Sequence, residues 1–243
     1  AAAPALARMG LPFVVGVSPS VPDERAVLWR PLLDEIVERR DMIAIDHQGT
    51  KSLVALHSPE RKREGAEALL GIVEAMEAKA RARFVADLAA RAGLDVTSFH
   101  RDRCLAWSDV EALARQPGVT LAAGGLDPVP LAGLELSEAR RQIRDGTRTL
   151  AAATGRPIEA FAYPEGTHAN AGPREFALAR DLGVGCAITR RPGLVFAEHA
   201  LAPTALPSIT LDEASADGLK LASWIAGRMG TPRAPGFAGP DLA

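Results

Sequence analysis

The residues of this chain best placed to do chemistry lie close together in the decapeptide FAYPEGTHAN, residues 161–170. Tyr163, Glu165 and His168 follow one another there, with Pro164 and Gly166 between them. Proline has no amide hydrogen to give to a strand ladder, so a strand must end at it. Glycine then admits backbone angles that other residues avoid. A strand that stops abruptly and sets a phenol, a carboxylate and an imidazole at its end reads as the lip of a site. An ordinary strand-to-helix turn would carry the same residues. Imidazole titrates near neutral pH and a neighbouring carboxylate can share its work, so His168 and Glu165 are candidate acid or base groups. The plain reading of His168 is a solvated loop histidine. His47, His57, His100 and His199 have no partner at ligand spacing. Cys104 and Cys186 are too few for a disulfide framework, lack metal-type spacing, and read as small buried hydrophobes.

The elements that must position these residues show a regular order. The strand pattern of Ile158 to Tyr163 has period two, with Ile158, Ala160 and Ala162 against Glu159, Phe161 and Tyr163. Apolar runs LPFVVGV (11–17), VTLAA (119–123), VGCAIT (184–189) and LPSITL (206–211) are further strands. Helices are expected over 28–40, 58–91, 137–154, 173–182 and 212–229, with a short one beginning at the Ser108–Glu111 capping box. AAAPALARMG reads as a helix end closed by Gly10. MIAID and SLVAL, joined by HQGTK, form a hairpin. Strands alternating with helices imply a parallel sheet or barrel, whose functional groups gather at the C-terminal strand ends.

Composition narrows the partners. With 28 basic against 30 acidic residues, the balanced charge gives no reason to expect nucleic acid or an anionic membrane. No stretch approaches the roughly 18 apolar residues that span a bilayer. The first ten residues lack the basic start and apolar centre of a signal peptide. A removed leader or a missing natural N-terminus is the expectation there.

Two stretches, LAWSDVEALARQPGVTLAAGG and LSEARRQIRDGTRTLAAATGRPIEAFAYPEG, together resemble the polysaccharide deacetylase family, carbohydrate esterase family 4 or the NodB-homology domain. The likeness runs from about Ala3 to Leu211, with LPFVVGV similar to that family's second strand. It implies a distorted (β/α) barrel of the deacetylase type over residues 1–229 that lacks its first strand. A hairpin-plus-helices insert would occupy about 41–93, and 230–243 would be a loosely held tail. The barrel edge at LPFVVGV should then be covered by another segment, another chain or a preceding piece.

The resemblance also implies a chemistry, the removal of acetyl groups from sugars with a divalent metal such as zinc. The family holds the metal with a first-strand aspartate and a His-x-x-x-His motif. Here the two histidine positions are Gly124 and Pro128, and neither side chain can bind a metal. Asp127 between them is a single carboxylate. The first-strand aspartates would fall before Ala1. The oxyanion-side tyrosine of the family is replaced by Glu165, and an arginine three residues earlier by Ala162. The resemblance therefore implies no cofactor, and a protein of bacterial glycan metabolism, cytoplasmic or periplasmic, that binds a saccharide or a protein partner, a second copy included, without hydrolysis. The saccharide would be N-acetylated, and Gly124, Asp127, Tyr163, Glu165 and His168 should meet at one mouth to hold it. The alternatives are an active N-deacetylase with other ligands, and a metal-free enzyme using Glu165, His168 and Asp127.

Overall fold

The elements follow one another as α1 (Ala2–Arg8), β1 (Phe13–Val17), α2 (Trp29–Arg39), β2 (Met42–His47), β3 (Thr50–Ala55), α3 (Pro59–Glu74), α4 (Ala78–Arg91), α5 (Val96–Arg103), α6 (Trp107–Arg115), β4 (Val119–Ala123), α7 (Leu136–Thr154), β5 (Ala160–Ala162), α8 (Pro173–Asp181), β6 (Cys186–Pro192) and β7 (Leu206–Ser208). They come from a computed structural model that describes residues 2–47 and 49–209. The helix expected at 212–229 and the tail from Gly230 lie outside the described residues. Two compact units result, one from residues up to Ser20 together with those from Trp107 on, the other Val21–Ala106.

The first unit is built on a five-stranded parallel sheet of order β1-β4-β5-β6-β7. The four apolar runs at 11–17, 119–124, 158–163 and 184–189 are thus neighbours in one sheet, as the sequence predicts. One face of it carries Val17, Leu121, Ala123, Phe161, Tyr163 and Ala187, all buried. They pack against Val110 and Leu113 of α6, Ile143 and Leu150 of α7 and Leu178 of α8. Burial of such aliphatic and aromatic surface supplies the main stabilisation, about 25 cal/mol per Å².

The other face is lined at its centre by small residues, Gly16, Ala122, Ala160 and Ala162. Gly16 lies opposite Ala122, and Ala122 opposite Ala160. A Cβ placed on Gly16 would sit 3.2 Å from the Cβ of Ala162, although strand β4 runs between their strands. In a flat sheet strands two apart are separated by about 9.5 Å. The sheet is therefore strongly curled, and small side chains allow the curl. Among the described residues β1 and β7 are its edges, and no strand pairs with the outer side of β1, where Val14 is exposed. The architecture is an α/β fold with a curled parallel sheet, and the described strands do not close a ring.

The second unit has its own core. Leu32, Leu33, Ile36 and Val37 of α2 pack with Ile43 and Ile45 of β2, Leu69 and Val73 of α3, and Val85 and Leu88 of α4. Ser58 caps α3 by accepting the amide of Arg61. This unit is wider than the expected 41–93 segment, because α2 gives its apolar face to the hairpin and α5 follows α4. Helix α5 has a local signal that the periodicity search passes over: the Asp95 carboxylate accepts the amides of Thr97 and Ser98. The Ser98 hydroxyl also donates to this carboxylate (2.6 Å), and that bond, with the two amides, holds the Asp95 carboxyl below its usual range.

Candidate functional site

All strands of a parallel sheet end at the same side, so the segments after β1, β4, β5 and β6 gather there. β1 runs out into Ser18-Pro19-Ser20. The Ser18 hydroxyl donates to the carbonyl of Gly124 (2.7 Å), and the Gly124 amide donates to the carbonyl of Val17 (2.8 Å). A Cβ on Gly124 would lie 2.8 Å from Ser18 Oγ, so the position is tightly enclosed as well as bare. Leu126 accepts the amide of Ser20 (3.0 Å). The Ser20 hydroxyl is buried and has no partner among the described residues.

Beyond Gly124 the chain drops onto helix α7. Gly125 takes a φ of 82° and lies against Gly146, where an added Cβ would sit 2.4 Å from the Gly125 carbonyl carbon. That close approach brings Asp127 to Gln142, one turn earlier on α7. The Gln142 side chain is buried. Its carbonyl oxygen accepts the Asp127 amide (2.8 Å), and its NH₂ donates to Asp127 Oδ2 (3.0 Å) and to Glu138 Oε1 (3.0 Å). Arg141 in turn donates to both Glu138 oxygens, at 2.8 and 2.6 Å. The hydrogen bond to Glu138 raises the Arg141 guanidinium pKa.

After β5 the break foreseen at Pro164 takes a definite form. Glu165 and Gly166 both have positive φ, 57° and 50°. A carboxylate residue in the left-handed region is uncommon and is held there by its surroundings. The surroundings are visible: the Gly166 amide donates to Pro164 O (2.7 Å), and Gly166 O accepts the Arg190 amide (2.8 Å), so the chain turns and rejoins β6. Glu165 Oε2 accepts the side-chain NH₂ of Asn170 (2.8 Å). His168 is exposed. This loop is tied to the one after β4. Ala132 donates its amide to Asn170 O (3.3 Å), and Arg174 donates to the carbonyls of Leu131 (2.9 Å) and Ala132 (3.2 Å).

Asp127, Gly124, Glu165 and His168 therefore stand on two joined loops at the C-terminal end of the sheet. Tyr163 does not join them at the surface. Only 4% of it is exposed, and its ring meets Phe161 and Phe176 edge-on. Its hydroxyl donates to Thr204 O (2.9 Å). Burial, reinforced by the charge of Glu175 and opposed by that of Arg191, pushes the phenol far above its ordinary pKa. The alternation Glu159, Phe161, Tyr163 carries the reason: the tyrosine shares the core face with Phe161. A ring so enclosed has no face free for stacking.

Sequence reasoning passed over Ser18, Gln142 and Asn170. Gln142 had a signal, since it follows Glu138 by one helical turn on the same face of α7. The residues at the mouth do not fit the divalent ion that the resemblance calls for. Gly124 is walled in by Ser18, Pro128 offers no side-chain donor, and the Asp127 carboxylate is engaged by Gln142. Among the described residues no three His, Cys, Asp or Glu side chains converge on a common point.

No protein-family model and no curated protein sequence matches the chain. Two solved bacterial deacetylases resemble it. One is the deacetylase PplD of Streptococcus pyogenes in complex with acetate, with a TM-score of 0.43 and 15% identity over 57% of this chain and 63% of that one. The other is the BpsB deacetylase domain of Bordetella bronchiseptica, with a TM-score of 0.40 and 16% identity over 78% of this chain and 58% of that one. The chain thus covers less than two thirds of the length of either.

Proposed function

We propose that residues 1–229 form a domain of the polysaccharide deacetylase type, carrying the second unit as an insertion and followed by a tail at 230–243, whose mouth binds an N-acetylated saccharide without metal-dependent hydrolysis. The observation that carries this reading is the enclosure of Gly124. Its Cβ position is filled by the Ser18 hydroxyl at 2.8 Å, so the strand end is packed as a backbone contact where the resemblance would put a metal-binding imidazole. Glu165 works in the same direction, because a carboxylate beside a developing oxyanion opposes the charge that amide hydrolysis must stabilise. What the mouth offers is hydrogen bonding: the carboxylates of Asp127 and Glu165, the amide of Asn170 and the imidazole of His168. Such groups match sugar hydroxyls and an acetamido group. With Tyr163 buried, affinity rests on these polar contacts and is modest.

The test is calorimetric titration of the full chain with tri-N-acetylchitotriose, with and without EDTA, alongside an assay for released acetate and elemental analysis. Chelator-insensitive binding with no acetate released is the expected outcome. A stoichiometric metal accompanied by acetate release would overturn the reading. So would the absence of saccharide binding, which would leave the scaffold as a protein-interaction domain.

A further inference from the structure

Strand β6 reaches the mouth with two arginines, and the alternation of the strand sends them opposite ways. Thr189 is buried, and the Arg191 guanidinium lies over the Phe176 ring (4.8 Å) on the core side, where it donates to the carbonyl of Ala171. Arg190 stands between them and takes the other face. The register agrees. Cys186, partly exposed rather than in the core where the sequence places it, and Ile188 stand opposite Ala160 and Ala162. Two residues on, Arg190 continues the small-residue face beyond Ala162. The bulge in β6 falls on its β7 side. Towards β5 the alternation is unbroken: Ile188 O accepts the Tyr163 amide (3.1 Å), and the Arg190 amide donates to Gly166 O (2.8 Å). The second bond fixes Arg190 beside the Glu165 turn.

Other guanidinium groups at this end are occupied. Arg141 donates to Glu138, and Arg174 to Glu175 and to the carbonyls of Leu131 and Ala132. The Arg190 side chain is exposed and has no partner among the described residues. Asp127 and Glu165 accept from the amides of Gln142 and Asn170, which are neutral and leave both negative charges in place. A mouth with two carboxylates and no cation would attract the ammonium of an amino sugar. Arg190 reverses that preference. Its guanidinium repels an ammonium, and its N–H groups suit the carbonyl oxygen of an acetamido group, which only accepts. We propose that Arg190 is the specificity-determining residue of the mouth, donating to the acetamido carbonyl of an N-acetylated saccharide and disfavouring the free amine, an assignment that rests on the saccharide reading.

The full chain is titrated calorimetrically with tri-N-acetylchitotriose and with its N-deacetylated counterpart, the glucosamine trimer, in weakly acid buffer that keeps the amines protonated. The native chain should bind the acetylated trimer about tenfold more tightly. Arg190→Gln should weaken binding of the acetylated trimer and strengthen binding of the glucosamine trimer, so that the order reverses. Arg190→Lys keeps the charge but not the planar donor fork, and should retain part of the native preference. Urea midpoints of both variants should match the native one, because the side chain is exposed. Equal affinity of the native chain for the two trimers would overturn this inference and leave the saccharide reading standing. So would an Arg190→Gln variant that keeps the native preference. A native chain that binds neither trimer would overturn both.

Discussion

The two ends of the parallel sheet are finished in opposite ways. At the C-terminal end the loops are closed by short contacts: Ser18 on the Gly124 carbonyl, Gln142 on the Asp127 amide, the backbone of Gly146 against Gly125, and the Asn170 side chain on the Glu165 carboxylate. At the N-terminal end, β4 and the approach to β5 part, and a cavity remains between them. The difference teaches where precision has been invested. Loops that carry chemistry sit at the C-terminal ends of strands, and here those loops are held by buried polar contacts, each expensive to leave half-made. The other end tolerates a lapse in the ladder because it is open to solvent.

Substituting one glycine at each end breaks this comparison most sharply. Gly146→Ala places a methyl group 2.4 to 2.7 Å from the backbone of Gly125 and Leu126, which has no flexible end to yield. We expect it to cost about 3 kcal/mol, the upper end for overpacking, despite the better helix propensity of alanine. Urea unfolding of the full chain measures it. Gly185→Ala, at the open end, meets Glu159 O at 3.3 Å and should cost less than about 1 kcal/mol. Equal losses would remove the contrast between the two ends.

The next effect is smaller. Gln142→Leu leaves the amide of Asp127 and two carboxylates without their shared partner. A loss of about 2 kcal/mol is expected, together with weaker chitotriose binding, because the Asp127 loop loses its anchor. Stability falling with binding intact would show that Asp127 lies outside the site.

Tyr163 gives a still smaller change in stability with an unambiguous optical signature. It is the chain's one tyrosine, so phenolate absorbance reports on it alone. Burial raises its folded pKa above the unfolded value near 10. The unfolded state therefore loses its proton first, and stability is full below about pH 10 and declines as pH rises beyond it. Absorbance of the native chain should show no step at pH 10, whereas the chain in urea should show one. Tyr163→Phe removes the bond to Thr204 O and should cost about 1 kcal/mol while abolishing the alkaline decline assigned to this residue. A native phenol that titrates at pH 10 would return the ring to the mouth. At the end of the scale, His168→Ala should change stability by less than about 0.5 kcal/mol, since the imidazole is exposed.

How much of this was legible beforehand depended on the range of the interaction concerned. The period-two run at 158–163 and the apolar runs around it announced adjacent parallel strands, because alternation and β-branching are local properties. Pro164 and Gly166 announced the end of β5 for the same reason. The partner of Asp127 was harder to see, since Gln142 reaches it only because two glycines far apart in sequence, Gly125 and Gly146, let a loop touch a helix. Tyr163 was misplaced for an instructive reason. Its position at a strand end suggested a rim, but its parity with Phe161 assigned it to the core, and parity decides which face a side chain takes. The width of the second unit was missed because α2 looks, from its own periodicity, as if it could cover either of two cores.

The position of the second unit between Ser20 and Trp107 in sequence also governs the order in which the chain can assemble. Phe13 pairs with Val119, so 119 − 13 = 106 positions separate the two strands that open the sheet. At a synthesis rate of about 5–20 residues per second, roughly 5–20 seconds pass between the emergence of β1 and that of its partner. During that interval the second unit, whose pairings are all internal to Val21–Ala106, can fold first. Until β4 arrives, the apolar segment FVVGV waits without this partner. A nascent chain arrested near Ala106 should for that reason be the form most dependent on chaperones, and the most prone to aggregate once released.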